Sequence, residues 1–459
     1  MKIAKKNLNK LFFLFLFSHL FIWTLIPSVS NENLPLDTIE ALAWGSNLDW
    51  GFNKHPPLSA FAVEIFYFIF GSYDWVYYFL SQIFLITTFF YVWKLSNEIF
   101  EDKIYSLFSV FILTGIYFFN FTTPEFNVNV CQLPFWALTV YYFWKSINSE
   151  KNIKNWILFG IFSALGFLSK YLFIYILASI FIYFVINLKI YKKFIYKYLL
   201  SIMVSLLILL PHFIWLFEND FVTIFYGIQR TSLSSSLLID HLKNPIIFLL
   251  KQTIILIPFF IMAGLLLKKF RVTLNFTNRK TFFIISISLI PIILTLITSI
   301  LVGAKIRTMW MTPFYLFFGV LFFQLFKSKI DIKKIKKFYK TFLFFFILSP
   351  IIYLGISIFD KTKRTDYPGE EISRLVQNKW DENFSNEIKI VVGDEWSAGN
   401  LSYHLNSRPI WINDLKNKTS EITGDKGVIY VGNPKILKEI CPGVFGTIQP
   451  AGYCMIGRR

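Results

Sequence analysis

Apolar residues occur along this chain in long blocks that charged residues separate. A helix that spans the hydrocarbon core of a bilayer needs about 20 mainly apolar residues, with a range of about 17–25. Blocks of that length, or nearly so, cover residues 11–29, 75–95, 104–121, 127–146, 155–169, 171–188, 197–217, 245–267, 281–303, 308–326 and 341–358. The pattern predicts a polytopic α-helical membrane protein with about 11 transmembrane helices in a domain over residues 1–359.

Two features leave the number of spans open. Lys170 separates residues 155–169 from residues 171–188, so these two blocks are either two spans or one broken helix. Residues 58–70 are apolar but too short to cross a bilayer, which favours a re-entrant or interfacial segment. The first block is long and rich in aromatic residues for a signal peptide, which favours an uncleaved membrane anchor.

Composition and charge agree with a membrane protein. Of the 459 residues only 16% are charged, against about 25% in soluble domains, which excludes an ordinary soluble enzyme and a disordered protein. With a cytoplasmic N-terminus, 25 of the 46 Lys and Arg residues fall in predicted cytoplasmic segments and 6 in the opposite loops, as the positive-inside rule requires. The net charge of +18 therefore indicates topology and contact with anionic membrane lipids, and not nucleic-acid binding.

Residues 360–459 are predicted to form a small α/β domain outside the membrane, because the composition turns polar and an odd number of spans precedes them. Cys441 and Cys454 fall in this domain, where an oxidising compartment favours a disulfide between them. Zinc is disfavoured, since no second pair of ligands accompanies them. The predicted helices cover residues 369–384, 398–405 and 434–440, and the predicted strands cover 388–392, 409–412 and 428–431.

The first outer loop, residues 30–74, holds an informative group of acids. A helix is predicted from Asp37 to Trp50, with its apolar face lying in the membrane interface. Asp37 and Glu40 stand one turn apart at its start. They either cap the helix or act as catalytic acids, and the two roles are compatible.

Cations are predicted to converge at the same face of the membrane. The candidates for binding a donor phosphate are Lys54, His55, Lys170, Lys305 and Arg307. Each also has an ordinary interpretation, as a loop residue turned toward water or as an anchor in the membrane interface. In the functional interpretation, the guanidinium matches a phosphate and several cations together stabilise a phosphate leaving group.

Glu125 lies in the second outer loop, at the membrane level predicted for Asp37. The sequence Thr123-Pro124-Glu125 is typical of a helix start. Alternatively, the two carboxylates orient an acceptor hydroxyl or hold a divalent metal ion. The chain has neither GxxxxGK[ST] nor a GxGxxG motif that opens a helix after a strand. A transfer reaction outside the membrane would therefore need a substrate activated in advance, such as a lipid-phosphate sugar.

Four motifs carry a resemblance to a known family. They are LDTIEALAWGSNLDWGFNKHPPL (36–58), TPEFNVNVCQLPFWAL (123–138), GFLSKY (166–171) and GAKIRTMWMTP (303–313). With them the chain resembles bacterial GT-C class membrane glycosyltransferases, of glycosyltransferase family 39 or RgtA/B/C/D-like, related to protein O-mannosyltransferases and lipid A aminoarabinose transferases.

The resemblance implies a hexosyl- or pentosyltransferase of the bacterial inner membrane that uses a polyprenyl-phosphate sugar donor. The acceptor would be lipid A, lipopolysaccharide, another envelope glycolipid or a protein. Asp37 matches the family acid that activates the acceptor, and Glu125 stands where that family usually has Asp. Lys54, His55, Lys170 and Arg307 match positions near the donor phosphate. Protein mannosyltransferases have adjacent Asp-Glu, so the spacing of Asp37 and Glu40 argues against a protein acceptor.

Two alternatives remain at this point. A lipid-linked glycan flippase or transporter would predict charges near the bilayer midplane and paired discontinuous helices. A glycan ligase or polymerase would share the outer site but accept longer donors.

Overall fold

The computed structural model describes residues 5–231, 238–268, 276–413 and 426–459. Up to residue 359 the described chain consists of helices and loops, and after residue 368 it forms helices around a sheet. The helices of the first part are Lys5–Ser30 (α1), Leu36–Gly45 (α2), Leu58–Phe70 (α3), Asp74–Ile99 (α4), Lys103–Phe111 (α5), Val128–Ile147 (α6), Ile153–Ser169 (α7), Ile174–Ile186 (α8), Leu188–Tyr191 (α9), Ile195–Glu218 (α10), Val222–Arg230 (α11), Asp240–Ile255 (α12), Ile257–Leu266 (α13), Arg279–Val302 (α14), Phe318–Phe326 (α15) and Ile335–Phe359 (α16).

Long apolar helices make the chain an integral membrane protein. Within the described ranges, five helical stretches are long and apolar enough to cross a membrane: Asn7–Ser30, Asp74–Ile99, Leu188–Glu218, Arg279–Val302 and Ile335–Phe359. Two further pairs have the composition of a span but bend: α12 with α13 by 53°, and Thr308–Tyr315 with Phe318–Lys329 by 49°. Length and composition thus give five to seven spans among these residues, and the predicted number of about 11 is not confirmed.

The difference arises where apolar blocks form short or broken helices. The block at 104–121 becomes α5 followed by 3₁₀ turns at Ile112–Gly115 and Tyr117–Phe119. Most of α6 is buried, polar Gln132 included, and α6 packs against α4 and α7. A helix that contacts protein on all sides does not need the apolar surface that lipid contact demands.

The two blocks around Lys170 form separate helices. α7 ends at Ser169, Lys170 is extended with φ −165° and ψ 137°, and a 3₁₀ turn at Tyr171–Phe173 leads into α8. α7 packs on α6 and α10, whereas α8 packs on α14. The structure therefore supports two helices at this point.

The predicted small C-terminal sheet domain is confirmed. Its five strands lie in the order β2-β1-β3-β5-β4, with β1 parallel to β2 and β3, and β5 antiparallel to β3 and β4. Its elements are Gly369–Asp381 (α17), Ile390–Val392 (β1), Ser397–His404 (α18), Ile410–Ile412 (β2), Val428–Gly432 (β3), Pro434–Ile440 (α19), Val444–Ile448 (β4) and Ala451–Ile456 (β5). A disulfide joins Cys441 to Cys454. The β4–β5 hairpin is the part that the sequence did not predict.

The prediction of a helix from Asp37 to Trp50 in the membrane interface is wrong in its end and in its surroundings. The helix α2 already ends at Gly45, and Trp50, which lies beyond it, is 43% exposed. The apolar side chains of α2 are buried between α3 and α18 and not in the membrane interface, because the C-terminal unit covers the helix. Gly399 on α18 permits this close approach, since a Cβ atom there would lie 3.1 Å from Cβ of Ala43.

The first loop and the C-terminal unit share one hydrophobic core. Trp44 and Phe52 of the loop stack with ring centroids 5.4 Å apart. They belong to the same buried cluster as Ile372, Val376 and Trp380 of the C-terminal unit. The loop conformation therefore depends on residues more than 300 positions later in the chain.

Arg408 forms several contacts across the junction between the first loop and the C-terminal unit. Its Nη2 donates to Oε2 of Glu64 over 2.6 Å and to the backbone O of Leu42 over 2.6 Å. Its guanidinium also lies over the Tyr67 ring, 4.1 Å from the centroid. One side chain thus ties the C-terminal unit to both α2 and α3.

We expect Arg408→Ala to destabilise the protein by about 2 kcal/mol, because it leaves a partly buried carboxylate and a carbonyl without their donor. The measurement is the melting temperature of the purified full chain in detergent, together with the rate of proteolysis in residues 360–368. Arg374→Ala, at an exposed position of the same unit, is the matched control. Equal melting temperatures for Arg408→Ala and the wild type would contradict this role.

Candidate functional site

Asp37 and Glu125 meet where the first loop contacts the second. The backbone N–H of Asp37, in the first turn of α2, donates to Oε1 of Glu125 over 3.1 Å. The hydroxyl of Thr38 donates to the backbone O of Phe126, also over 3.1 Å. The first N–H groups of a helix have no partner within it and favour a negative charge. Glu125 therefore satisfies the start of α2 from a distant part of the chain.

Neither acid caps its own helix. α2 has no side-chain N-cap, so capping by Asp37 is not observed. α6 begins at Val128 and is capped by Asn127, whose side chain accepts two backbone N–H groups at 2.9 and 3.1 Å. The prediction of a helix start at Thr123-Pro124-Glu125 is therefore wrong, because the cap lies further along the chain. This leaves Glu125 in the loop, where it reaches α2.

Burial raises the pKa of both carboxyl groups. For Glu125, burial and then the negative charge of Asp37 raise the pKa to about 8. For Asp37, burial raises the pKa against the opposing effect of nearby cations, of which Lys170 is the strongest. The two carboxyl groups do not ionise independently, because the negative charge of each disfavours ionisation of the other. The pair can therefore accept or release a proton near neutral pH.

Glu125 also lines a cavity of about 630 Å³. Four cations share its wall: Arg230, Lys251, Lys305 and Arg307. Within the described part of the chain, Glu125 is the one acid in that wall. The other wall residues are Tyr117, Phe118, Thr122, Asn127, Asn129, Val130, Ile306, Thr308, Met309 and Thr312. Such an excess of cations suits an anionic group such as a phosphate.

The cations come from separate segments that the backbone brings together. Gly303 ends α14 with φ 65°, in the left-handed region that favours glycine. The N–H of Lys305 then donates to the backbone O of Thr231 over 3.1 Å, beside Arg230 at the end of α11. Lys251 projects from α12, which bends against α13 one turn later.

Lys170 is buried beside this cavity without being part of its wall. Its Nζ donates to Oδ1 of Asn129, a wall residue, over 2.5 Å. The ammonium group lies 5.2 Å from the centroid of the Trp310 ring. Burial lowers the pKa of Lys170 to about 7, against the raising effect of the Asp37 charge. Lys170 thus connects the acid pair with the cationic cavity.

Lys54 forms an ion pair with Glu40 of α2, one turn after Asp37, and the charge of Lys54 also acts on Asp37. Lys54 Nζ lies 2.7 Å from Oε1 of Glu40 and 3.2 Å from Oε1 of Glu395, which follows β1. His55 is half-buried, and its ring centroid lies 6.3 Å from that of Tyr226. Burial, and then nearby positive charges, lower the pKa of His55 to about 3, so its imidazole is neutral. Contact of Lys54 or His55 with a donor phosphate stays a prediction.

Two cations of the cavity wall were not among the predicted site residues. Lys251 lies inside the apolar block at 245–267, and an ionisable residue within a span is itself a functional signal. Arg230 belongs to no motif of the sequence, and only the fold brings it, at the end of α11, near Lys305.

Glu125→Gln should remove part of the pH dependence of stability. The pKa of Glu125 is about 8 in the fold, against an ordinary value of 4.5. The folded state therefore binds this proton more tightly than the unfolded state does. The stability that the bound proton contributes is full below about pH 4.5 and is lost as the pH rises to about 8. Glutamine keeps the acceptor oxygen for the Asp37 N–H and has no proton to lose.

The measurement is the melting temperature of both proteins in detergent between about pH 5 and 8. We expect a flatter curve for Glu125→Gln and a higher value than the wild type at the alkaline end. Glu439→Gln, at an exposed acid, should keep the wild-type slope. If Glu125→Gln also keeps that slope, the carboxyl does not hold a proton near neutral pH.

Comparison with known proteins gives a family match and a fold match. Residues 54–215 match the family described as dolichyl-phosphate-mannose-protein mannosyltransferase. A search of curated protein sequences gave no match. The structure is similar to that of ArnT from Cupriavidus metallidurans bound to undecaprenyl phosphate, with a TM-score of 0.67 and 11% identity over 98% of each chain. For ArnT in the apo state the TM-score is 0.62, with 10% identity over 96% of this chain and 97% of that one.

The fold match covers the membrane helices and the C-terminal unit together. The family match includes Lys54, Glu125 and Lys170, and it agrees with the resemblance based on the four motifs. The chain therefore has a fold similar to that of ArnT, and residues 54–215 match the mannosyltransferase family model.

Proposed function

We propose that this chain transfers a hexosyl or pentosyl group from a polyprenyl-phosphate donor to a hydroxyl group of a membrane glycolipid. The observation that carries the proposal is the Asp37–Glu125 pair at the edge of a cavity with four cations. The distribution of Lys and Arg supports a reaction at the outer face of a bacterial inner membrane. In that orientation residues 360–459 form a periplasmic domain.

The proposed reaction is one displacement at the anomeric carbon of the sugar. The acceptor hydroxyl gives its proton to Asp37 as its oxygen bonds to that carbon. The bond from the carbon to the phosphate oxygen breaks, and polyprenyl phosphate leaves with the electron pair. Glu125 holds Asp37 through the backbone N–H and shares the proton that the pair binds. Attack opposite the leaving group inverts the anomeric configuration.

The cations account for the fate of the leaving group. A phosphate that departs gains negative charge, and cations fixed in advance stabilise it without reorganisation. We propose that the four cations of the cavity wall do this: Arg230, Lys251, Lys305 and Arg307. Lys170 lies beside them, and burial lowers its pKa to about 7, so it can gain or lose a proton near neutral pH. The binding of undecaprenyl phosphate by ArnT supports a polyprenyl phosphate as the donor's carrier. Among the described residues no three His, Cys, Asp or Glu side chains come together as metal ligands, and we assign the phosphate charge to the cations.

A lipid-linked glycan flippase is the second candidate, and one observation favours it. Transporters place substrates at discontinuous helices, and here two bent helix pairs, α12 with α13 and Thr308–Tyr315 with Phe318–Lys329, contribute residues to the cavity wall. A flippase, however, gives the buried acid pair no task. Release of polyprenyl phosphate in detergent distinguishes a transferase from a flippase. A transfer reaction breaks the sugar–phosphate bond without a sealed membrane, whereas transport needs two compartments. A glycan ligase or polymerase would also release it, but from donors that carry whole glycans.

Asp37→Asn and Arg307→Ala should each lower the rate of polyprenyl-phosphate release by about 100-fold or more, since one removes the base and the other a charge on the leaving group. The purified chain is mixed with a pool of polyprenyl-phosphate sugars and a membrane-lipid extract, and mass spectrometry follows the released lipid. Both variants should melt near the wild-type temperature. Wild-type rates in both would refute the assignment.

Lys251→Ala should weaken binding of the donor phosphate about tenfold, as expected for loss of one charge-assisted contact. The readout is the concentration of undecaprenyl phosphate that inhibits the reaction by half. Lys251→Arg should restore most of the affinity, and Lys361→Ala, at an exposed cation outside the cavity wall, should change nothing. An unchanged inhibition constant in Lys251→Ala would place the donor phosphate elsewhere.

A further inference from the structure

The buried side chain of His212, on α10, joins two segments that flank the candidate site. Its Nδ1 lies 2.6 Å from the backbone O of Trp50 in the first loop, and its Nε2 lies 2.9 Å from the hydroxyl oxygen of Tyr171. In a neutral imidazole one ring nitrogen donates and the other accepts. Because the Trp50 oxygen can only accept, Nδ1 carries the hydrogen and Nε2 accepts from the Tyr171 hydroxyl.

The contact with Trp50 is part of a close attachment of the first loop to α10 and α11. The hydroxyl of Thr223, on α11, donates to the backbone O of Phe52 over 2.6 Å. Gly51 lies between these two hydrogen bonds, and a Cβ atom there would lie 2.2 Å from the ring of Trp215 on α10. Residues 50–52 therefore lie flat against α10 in a place where no larger side chain fits at position 51.

This attachment also fixes the turn around Lys54. The N–H of Phe52 donates to the backbone O of His55 over 3.1 Å and so closes the turn. The charge of Lys54 acts on Asp37. The contact of His212 with the first loop thus helps to place one cation that faces the acid pair.

The contact with Tyr171 acts on a second cation in the same way. Tyr171 directly follows Lys170, whose backbone is extended between α7 and the 3₁₀ turn. Among the cations that act on Asp37, Lys170 has the strongest effect. A hydrogen bond that holds the Tyr171 hydroxyl limits the movement of the backbone from which the Lys170 side chain extends.

The proposed displacement gives His212 and Tyr171 no contact with a substrate. Neither residue lines the cationic cavity. A buried network whose polar atoms all have partners rigidifies the segments that it joins. Here those segments carry the two cations just described, which suits a role in catalysis that is indirect.

We infer that His212 is a positioning residue for the proposed reaction. Through Tyr171 it holds Lys170 in place relative to Asp37, and through Trp50 it holds the neighbouring turn of the first loop. The inference rests on the proposed function, which it deepens by naming a residue that arranges the cations without touching either substrate.

The pH dependence of the reaction reports whether this arrangement is kept. The acidic limb of the pH–rate profile belongs to the Asp37–Glu125 pair, because the base must be ionised to accept a proton. Burial raises the pKa of Asp37, and the charge of Lys170 opposes that effect. If Lys170 moves away, the acidic limb therefore shifts to higher pH. The other charged groups that act on this pair are Lys54, Arg230, Arg364 and Glu40.

Tyr171→Phe and His212→Asn test the inference, because each removes the hydrogen bond between these two residues. The amide of His212→Asn can still donate to the Trp50 oxygen. Polyprenyl-phosphate release from the pool of donors is followed by mass spectrometry between about pH 5 and 9. We expect each variant to lower the rate at saturating donor about tenfold and to shift the acidic limb upward by about half a pH unit. The double variant should be no slower than the slower single variant.

Tyr175→Phe is the matched control. It removes the same hydroxyl from the following turn, where Tyr175 donates to the hydroxyl of Thr298 over 2.9 Å, and it should keep the wild-type rate and profile. His212→Gln supplies a side-chain oxygen that can accept from Tyr171, so it should recover part of the rate that His212→Asn loses. The melting temperature of every variant is measured as well, since a purely structural role would lower it and leave the acidic limb in place.

Three results would overturn the inference. A wild-type rate and profile in both Tyr171→Phe and His212→Asn would show that the bond does not position Lys170. Lower melting temperatures with an unchanged acidic limb would assign His212 to stability alone. Additive losses in the double variant would show that the two residues do not act through one bond. The proposed function fails separately, if the wild type itself releases no polyprenyl phosphate from any donor.

Discussion

The contact between the Asp37 N–H and the Glu125 carboxylate is the interaction on which the candidate site depends. It joins two loops whose residues stand 88 positions apart. Burying two acids together is unfavourable, and the raised pKa of each expresses that cost. The surrounding structure therefore has to hold them in place. Asn127 caps α6 and so leaves Glu125 in the loop, while Thr38 fastens the first loop to the backbone at Phe126.

The C-terminal unit helps to hold Asp37 and Glu125 in place. Asp37 lies on α2, and α18 covers the apolar side chains of this helix. Lys54 bridges Glu40 of α2 to Glu395 of the C-terminal unit. A loop of this length would otherwise sample many conformations, and ordering it without a core would cost more than its own contacts return. The α/β unit supplies that core.

The sequence predicted those helices and strands that depend mainly on neighbouring residues. The apolar blocks became helices, and strands formed near residues 390, 410 and 428, where the sequence had predicted them. The errors lie where tertiary contacts decide. α2 stops at Gly45 and is covered by α18 and α3, the cap of α6 is Asn127 in place of Thr123, and Arg230 reaches the cavity only through the fold. The number of spans was predicted too high because several apolar blocks form short or bent helices among the described residues.

The unequal walls around Glu125 explain why transfer fits the structure better than transport. Among the described residues four cations line one cavity, whereas the wall of an adjoining cavity of about 330 Å³, which shares Glu125, holds Lys363, Arg364 and the apolar Ile356 of α16. A transporter would need one continuous path with a site that releases its substrate to both sides. Two adjoining cavities that share one acid instead suit the two substrates of the proposed transfer. In the proposed transfer the two substrates would meet at the Asp37–Glu125 pair, which would take the proton of the acceptor hydroxyl.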